Sequence, residues 1–578
     1  MKKLALWAKD NFERLISQKA NPRYFALFRM SYALVALPIA IQTIQYIPMR
    51  WFELPTAMQS AALISNWIWV GLLLLLLVGL GGRIVPFLIF LITPHLLDPT
   101  VGTKLLMIGA FWMAFMRTNE CYAIHLNSKD RKIEFLGSNL TLRSVPGWAA
   151  LFLGFNIGFL LFTAGISKSL DPLWFHGLGF YYSLLHPWLK VPYSSGLLDS
   201  KFLMYSLNYA SLALEILVLP LLMWRRLRIF GAILIFLFFA SLTFPLRIDP
   251  IGPAGLVLAI PLFAITPAFQ SMIQTICGRL GFSRGKFEMS DGASRSPALV
   301  TSRWEKSAAV AISFLLIFDV LSVSAPALFA IEYPLINYPF KIEEHSEESI
   351  SIEQPSTDQP NSTGSGLSET LASKNISGPL GLVFKLMWGA RNIYRTLRGA
   401  QYNYTLVGWY SPFNLKHILG RYTYQILITM DSGKVKEPLI IFHDDKTTGP
   451  PSGGILRPRV LQNRMWAIGL LAHKLSIYDN YEPTNNEDRL LRSLIQFQLA
   501  KLSEIERKQA RHVSIVVSPI LLPANFAGNV TPWLEAPRTE LFRYDIKMDI
   551  YALMEVPAKF EVNIDLPEFR SHRIILNP

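Results

Sequence analysis

Charged residues are scarce in this sequence. Asp, Glu, Lys and Arg make up 17% of its 578 residues, whereas a soluble domain typically carries about 25%. The deficit excludes an ordinary soluble enzyme and points to a membrane chain. Cysteine is scarcer still, with only Cys121 and Cys277. Two thiols cannot staple an extracellular domain, and no CxxC or Cys/His spacing offers a structural zinc site. No G-x-S-x-G, H-E-x-x-H or phosphate-loop pattern occurs, so the common hydrolase and NTPase signatures are missing. The net charge of +14 lacks the basic–aromatic interleaving of a nucleic-acid surface, which argues against nucleic acid as a partner. The opening residues 1–23, MKKLALWAKDNFERLISQKANPR, are basic but have no apolar core leading to a small-residue cleavage site. They read as a cytoplasmic amphipathic segment rather than a cleaved signal.

Long apolar runs are what the chain has instead. A membrane helix needs about 20 mostly apolar residues. Nine stretches qualify or come close: 24–47, 62–80, 83–97, 101–117, 146–167, 203–223, 228–247, 251–268 and 307–331. The pair 83–97 and 101–117 is short, and TPHLLDPTVG between them is a hairpin tip or a re-entrant turn. Basic clusters precede the first span (Lys2 to Arg23), follow the fourth (Lys129 to Arg143), and lie between the sixth and seventh (Arg225, Arg226, Arg228). A last cluster, Arg279 to Lys306, lies between the eighth and ninth. With nine spans all four clusters share one side, which the positive-inside rule makes cytoplasmic. The expected fold is a polytopic α-helical membrane protein of about nine transmembrane helices with a C-terminal extracytoplasmic α+β domain. It would sit in a bacterial inner membrane or the endoplasmic reticulum, with the lipid bilayer as its first partner. No inverted repeat or pair of broken helices suggests a transporter.

Ionisable residues at membrane depth are costly, so they pair or face a cavity. Arg29 is a turn or two into the first span and either pairs or snorkels to a headgroup. Glu215, in SLALEILVLP, is central to its span and must be protonated, paired or lining a cavity. Asp319 occupies the ninth span, and His95 and Lys104 flank the short hairpin. Lys168 ends the run TAGISK and is followed by Asp171, Trp174 and His176. It has two readings. It is a snorkelling interface residue, or an amine desolvated by apolar walls that serves as a base or nucleophile. His176 and His186 are candidate proton carriers. Trp174, Tyr181 and Tyr182 read as interfacial anchors. Arg247 and Asp249, in PLRIDPIGP, are charged candidates on the same outer side as Lys168.

Domain limits follow from composition. Residues 24–335 hold the spans. Residues 336–377 are acidic and rich in Ser, Thr and Pro, the composition of a disordered linker. Residues 378–578 form the outer domain. There RYTYQILITMDSGK alternates as a strand and ends in a turn, and PLIIFH, VSIVVSPILL and ELFRYDIKMDIYALMEV read as further strands. VLQNRMWAIGLLAHKL and EDRLLRSLIQFQLAKLSEIERK have helical spacing. His443, Asp444 and Asp445 form the sole metal-like cluster and read as solvated loop residues, so no metal is expected.

The stretch TAGISKSLDPLWFHGLGFYYSL resembles the HTTM (horizontally transferred transmembrane) domain shared with vitamin K-dependent gamma-carboxylases. Those proteins carry an AG-x-x-K segment followed by an Asp and a Trp. ALFRM, with Arg29, is similar too. The resemblance implies that Lys168 is a base acting on a lipid-soluble quinol, with Glu215 or His176 assisting. SLALEILVLPLLMWRRLR, WYSPF, YQILITMDSGK and RPRVLQNRMWAIGL resemble lipase maturation factors. That second resemblance implies a non-enzymatic helper of an exported client protein, working through the outer domain. Gln425 stands where those factors have a Glu, and the outer domain lacks their cysteines.

Overall fold

A computed structural model describes residues 19–45, 56–97, 101–119, 122–127, 132–136, 145–169, 171–185, 200–243, 251–266, 304–314, 316, 340–344, 422–439, 471–472, 475, 485–500, 502–519, 538–554 and 572–576. The helical part comprises α1 (Pro22–Gln45), α2 (Thr56–Val78), α3 (Ile84–Leu96), α4 (Val101–Phe115), α5 (Trp148–Ser169), α6 (Pro172–Phe175), α7 (Gly179–Leu185), α8 (Lys201–Met223), α9 (Arg228–Thr243) and α10 (Ile251–Ala264). Four of these, α1, α2, α5 and α8, are long and apolar enough to cross a membrane, and α3, α4, α9 and α10 are shorter apolar helices. Eight of the expected spans coincide with these helices. Of the ninth, 307–331, only 307–314 and residue 316 are described, and both are helical.

The helices are apolar nearly all round, and the bundle sorts residues by packing rather than by polarity. On α2, Trp69, Leu73 and Leu76 are buried while Ile64, Trp67, Ile68 and Leu74 are exposed. A helix apolar on its outer face suits lipid and not water. The region is that of a membrane-embedded protein. Inside, Trp112 stacks on Phe152 at 5.9 Å, and at the bundle surface Phe115 stacks on the exposed Trp304 at 6.1 Å.

Polar contacts gather at the two ends of the bundle. At one end β1 (Lys19–Ala20) pairs antiparallel with β4 (Val145–Pro146), and the Asn21 amide donates to the Ala264 carbonyl at 3.3 Å. Arg29 is fully buried there. It donates to the carbonyls of Thr118 (3.1 Å) and Tyr122 (2.5 Å) and to Asn119 Oδ1 (3.3 Å). Arg29 is therefore a buried clasp on the chain leaving α4, not a snorkelling residue. Gly79, at φ +82°, makes room for it, since a Cβ there would lie 2.3 Å from Arg29 Nη1. Glu305, also buried, accepts from Arg83 (2.7 Å) and from Arg117 Nε and Nη2 (3.2 and 3.1 Å). These contacts define an arginine end; Lys168 lies at the other. The hairpin of β2 (Ala123–Asn127) and β3 (Lys132–Leu136) follows the Arg29 clasp.

The C-terminal part has its own core. Its sheet runs β10 (Ile550–Leu553), β9 (Thr539–Asp545), β8 (Ala510–Pro519), β6 (Tyr422–Met430), β7 (Val435–Leu439), all antiparallel. Register aligns Ile426 with Ile515 and Phe542, and Ile428 with Val513 and Tyr544. This face packs with Leu491, Leu494, Ile495 and Leu499 of α11 (Asn485–Ala500), at helical spacing. The helical reading of 487–508 is interrupted: Ser503 caps α12 (Glu504–Gln509) in a capping box with Glu506. β7 begins at Val435, earlier than PLIIFH suggests, because the turn at Asp431–Lys434 is tight, with Gly433 at φ +78°. β5 (Phe340–Glu344) lies within the stretch expected as linker and pairs with β11 (His572–Leu576). The rest of that linker and the 443–445 cluster lie outside the described residues.

Candidate functional site

The site starts from two positions on long helices. Lys168 is in the last turn of α5. Glu215 is in the middle of α8, on its buried stripe Met204, Asn208, Leu212, Glu215, Val218, Leu222. That stripe faces α5, where Gly165 lies against Glu215 and Ile216. The packing brings Lys168 Nζ to 2.6 Å from Glu215 Oε1, with the residues 4% and 1% exposed. Buried charges must pair, and here each group supplies the other's partner. Glu215 Oε2 is buried and accepts no hydrogen bond within the described structure. Lys168 Nζ also lies 4.5 Å from the centre of the Trp174 ring, a cation–π contact.

The segment after Lys168 forms the wall of the site. Asp171 Oδ1 accepts from the Leu173 amide at 3.0 Å and starts the short turn α6. That turn sends Trp174 inward, while Phe175 is 64% exposed. Asn208, fully buried on α8, locks the wall. Its Nδ2 donates to the Trp174 carbonyl (2.8 Å), and its Oδ1 accepts from the Phe180 amide (3.1 Å). The sequence reading missed Asn208. Its signal was position: it lies two turns before Glu215 on the same face.

The pair opens on a cavity of about 240 Å³. Its lining is apolar apart from Lys168, Glu215 and three serines, Ser183, Ser211 and Ser241. Ala210 of α8 and Leu237 and Ser241 of α9 line it and are exposed on the outer face of the bundle. The mouth therefore opens sideways between α8 and α9, where lipid would lie.

Of the expected trio, Lys168 and Glu215 meet. His176 does not line this cavity; it lines a separate groove with Phe175, because the α6 turn places both on the side away from Trp174. Trp174, Tyr181 and Tyr182 are buried in the bundle, not anchored at its surface. Tertiary packing overrides the usual interfacial role of such rings. His95 is exposed and Lys104 half-buried. Arg247, Asp249, Asp319, His186, Cys121 and Cys277 lie outside the described residues. Among the described residues no cluster of His, Cys, Asp or Glu is arranged to hold a metal.

Residues 22–264 match the family model described as the HTTM domain. The match begins at the first residue of α1 and ends at the last of α10, so it takes in Arg29, Lys168, Asn208 and Glu215. No curated protein and no solved structure matches the chain.

Proposed function

We propose that the Lys168–Glu215 cavity is the working centre of this membrane protein, and that it acts on a lipid-soluble molecule bearing an acidic hydroxyl, of the quinol class. The observation that carries this reading is a 2.6 Å ion pair inside an almost wholly apolar cavity with a sideways mouth. A structural pair needs no cavity, and a purely apolar lipid needs no pair. A hydroxyl entering the cavity meets the free lone pairs of Glu215 Oε2. When a proton has passed from Lys168 to Glu215, the amine is a base beside a neutral carboxyl. It takes the hydroxyl proton, and the resulting ammonium stabilises the oxyanion in surroundings of low dielectric. Trp174 backs the ammonium through its ring face. The HTTM match and the carboxylase-like AG-x-x-K segment agree with this role.

The test separates binding from chemistry. In Lys168→Arg the cation and its pairing persist, but a guanidinium does not release its proton. Deprotonation opens a quinol to oxidation by dioxygen, which yields the quinone and hydrogen peroxide. A reduced long-chain quinone should therefore still quench tryptophan emission in this variant, while the oxygen uptake that accompanies this oxidation by the full-length protein falls by about 10²–10⁴. Unchanged oxygen uptake in Lys168→Arg would sink the reading.

A second reading rests on a different observation, the C-terminal sheet with its own helix-covered core. In it, that unit serves an exported client protein, as the likeness to lipase maturation factors implies. Removing residues 378–578 should then abolish client capture and leave quinol binding by the bundle intact. Capture surviving the deletion would end this idea.

A further inference from the structure

A second concavity lies at the same end of the bundle, outside the Lys168 cavity. It is an open groove of about 490 Å³ lined by Ser169, Phe175, His176, Tyr205, Tyr209 and Leu212. Four of the six are aromatic, and no carboxylate is among them. The rings are held in place. Tyr209 Oη donates to the Phe175 carbonyl at 2.8 Å. Tyr205 packs against Gly177, where a Cβ would come within 2.2 Å of the ring. Gly177 is at φ +84°, so glycine is required there on both counts. At the rim, Lys201 Nζ stands 5.8 Å from the centre of the Tyr205 ring.

We infer that this groove binds the phosphocholine headgroup of a membrane lipid. Aromatic faces attract a quaternary ammonium without hydrogen bonds. A primary ammonium would want a carboxylate, which the lining does not offer. Lys201 at the rim is placed for the phosphate, a few ångströms from the cation as in that headgroup. A belt of interfacial aromatics spreads its rings along the membrane surface. Here they converge on one concavity, pinned by a hydrogen bond and a glycine. Ser169 ends α5 and Lys201 begins α8, both membrane-length helices, so the groove sits at headgroup level. A lipid is thus the source of the headgroup rather than a soluble choline compound. The inference stands apart from the Lys168 cavity, with which the groove shares no lining residue.

The test uses the full-length protein in nanodiscs of phosphatidylglycerol, doped equally with phosphatidylcholine and phosphatidylethanolamine. Retained lipid is read by native mass spectrometry. Phosphatidylcholine should be kept about tenfold over phosphatidylethanolamine, the ratio given by roughly 1.4 kcal/mol of cation–π preference. Tyr209→Phe keeps the ring but removes its hydrogen bond to the Phe175 carbonyl, and should lower the preference less than Tyr209→Leu does. Tyr205→Leu and Tyr209→Leu should each remove it, while an unchanged thermal unfolding midpoint shows that the bundle is intact. Lys201→Gln should weaken retention and preserve the choline-over-ethanolamine order. Equal retention of the two lipids by the wild type would overturn the inference, as would a preference unchanged in the Tyr205→Leu/Tyr209→Leu double variant. Displacement of the lipid by an equal concentration of free phosphocholine would overturn the lipid assignment.

Discussion

Lys168 and Glu215 are 47 residues apart in the chain and touch at 2.6 Å. Each is costly alone, and their energetics as a pair can be tested. Glu215→Gln strands an ammonium in an apolar cavity, a change that typically costs about 3–5 kcal/mol. Replacing both by residues of similar volume, Lys168→Met with Glu215→Leu, removes the stranded charge and should cost much less. Thermal unfolding in detergent, run as a double-mutant cycle, reads the difference. Additive effects would mean that the pair is not coupled. The residue types were legible beforehand, since a mid-span glutamate and a lysine closing an apolar run stand out against 17% charged composition. Their pairing was not. Neither helix shows in its own sequence which face meets which neighbour. Asn208 went unnoticed because an uncharged side chain at that position carries no penalty until it is buried. His176 shows the converse, as proximity in sequence suggested a role beside Lys168 that one turn of backbone at α6 redirects.

At the scale of the element, β8 shows how one strand serves two surroundings. Val513, Ile515 and Val517 face the core with α11. His512 and Ser514 alternate to the other face, where Ser514 Oγ donates to Glu540 Oε1 at 2.5 Å and Arg543 pairs with the same carboxylate. Burial raises Glu540, yet the hydrogen bonds from Arg543 and Ser514 and the Arg543 charge outweigh it and hold it below the usual carboxylate range. Burial and the Arg543 charge together lower His512, against the opposing pull of Glu540 and Asp545. The unfolded chain then takes up a proton at His512 before the folded one does. Its stabilising contribution is fully present above the unfolded value of about 6.5 and is lost as pH falls below it. The urea midpoint of the sheet transition should therefore drop between pH 7 and pH 5, and His512→Gln should flatten that slope. A slope unchanged in the variant would assign the pH dependence elsewhere. The strand itself was readable from alternation. Its partner β9 and the register shift between Ile515 and Val516 were not, because pairing depends on residues far away in sequence.

Among the described residues, the helical bundle gathers most of its buried charge towards two ends. Arg29, Arg83, Arg117 and Glu305 gather at one. Lys168 and the aromatic groove lie at the other. If the basic end is cytoplasmic, as the loop charges imply, single cysteines at Leu227 and Ser200 should react with a membrane-impermeant thiol reagent from opposite sides of sealed vesicles. Leu227 follows α8 and Ser200 precedes it, so labelling of both from one side would break this topology. The test is run in a background free of Cys121 and Cys277.

By itself the sequence determined the class of the protein and the position of its helices. Apolar runs of membrane length leave a backbone few alternatives in lipid, and strand alternation leaves few for the C-terminal sheet. It also determined which side chains would be expensive. What became of that expense was decided only by tertiary structure. The docking of α8 on α5 turned two isolated charges into one neutral pair beside a cavity. The placement of Thr118, Asn119 and Tyr122 turned Arg29 into a clasp. The α6 turn separated His176 from Lys168. Each outcome depends on contacts between residues distant in the chain, and the spacing within a single helix holds no record of the face its neighbour presents.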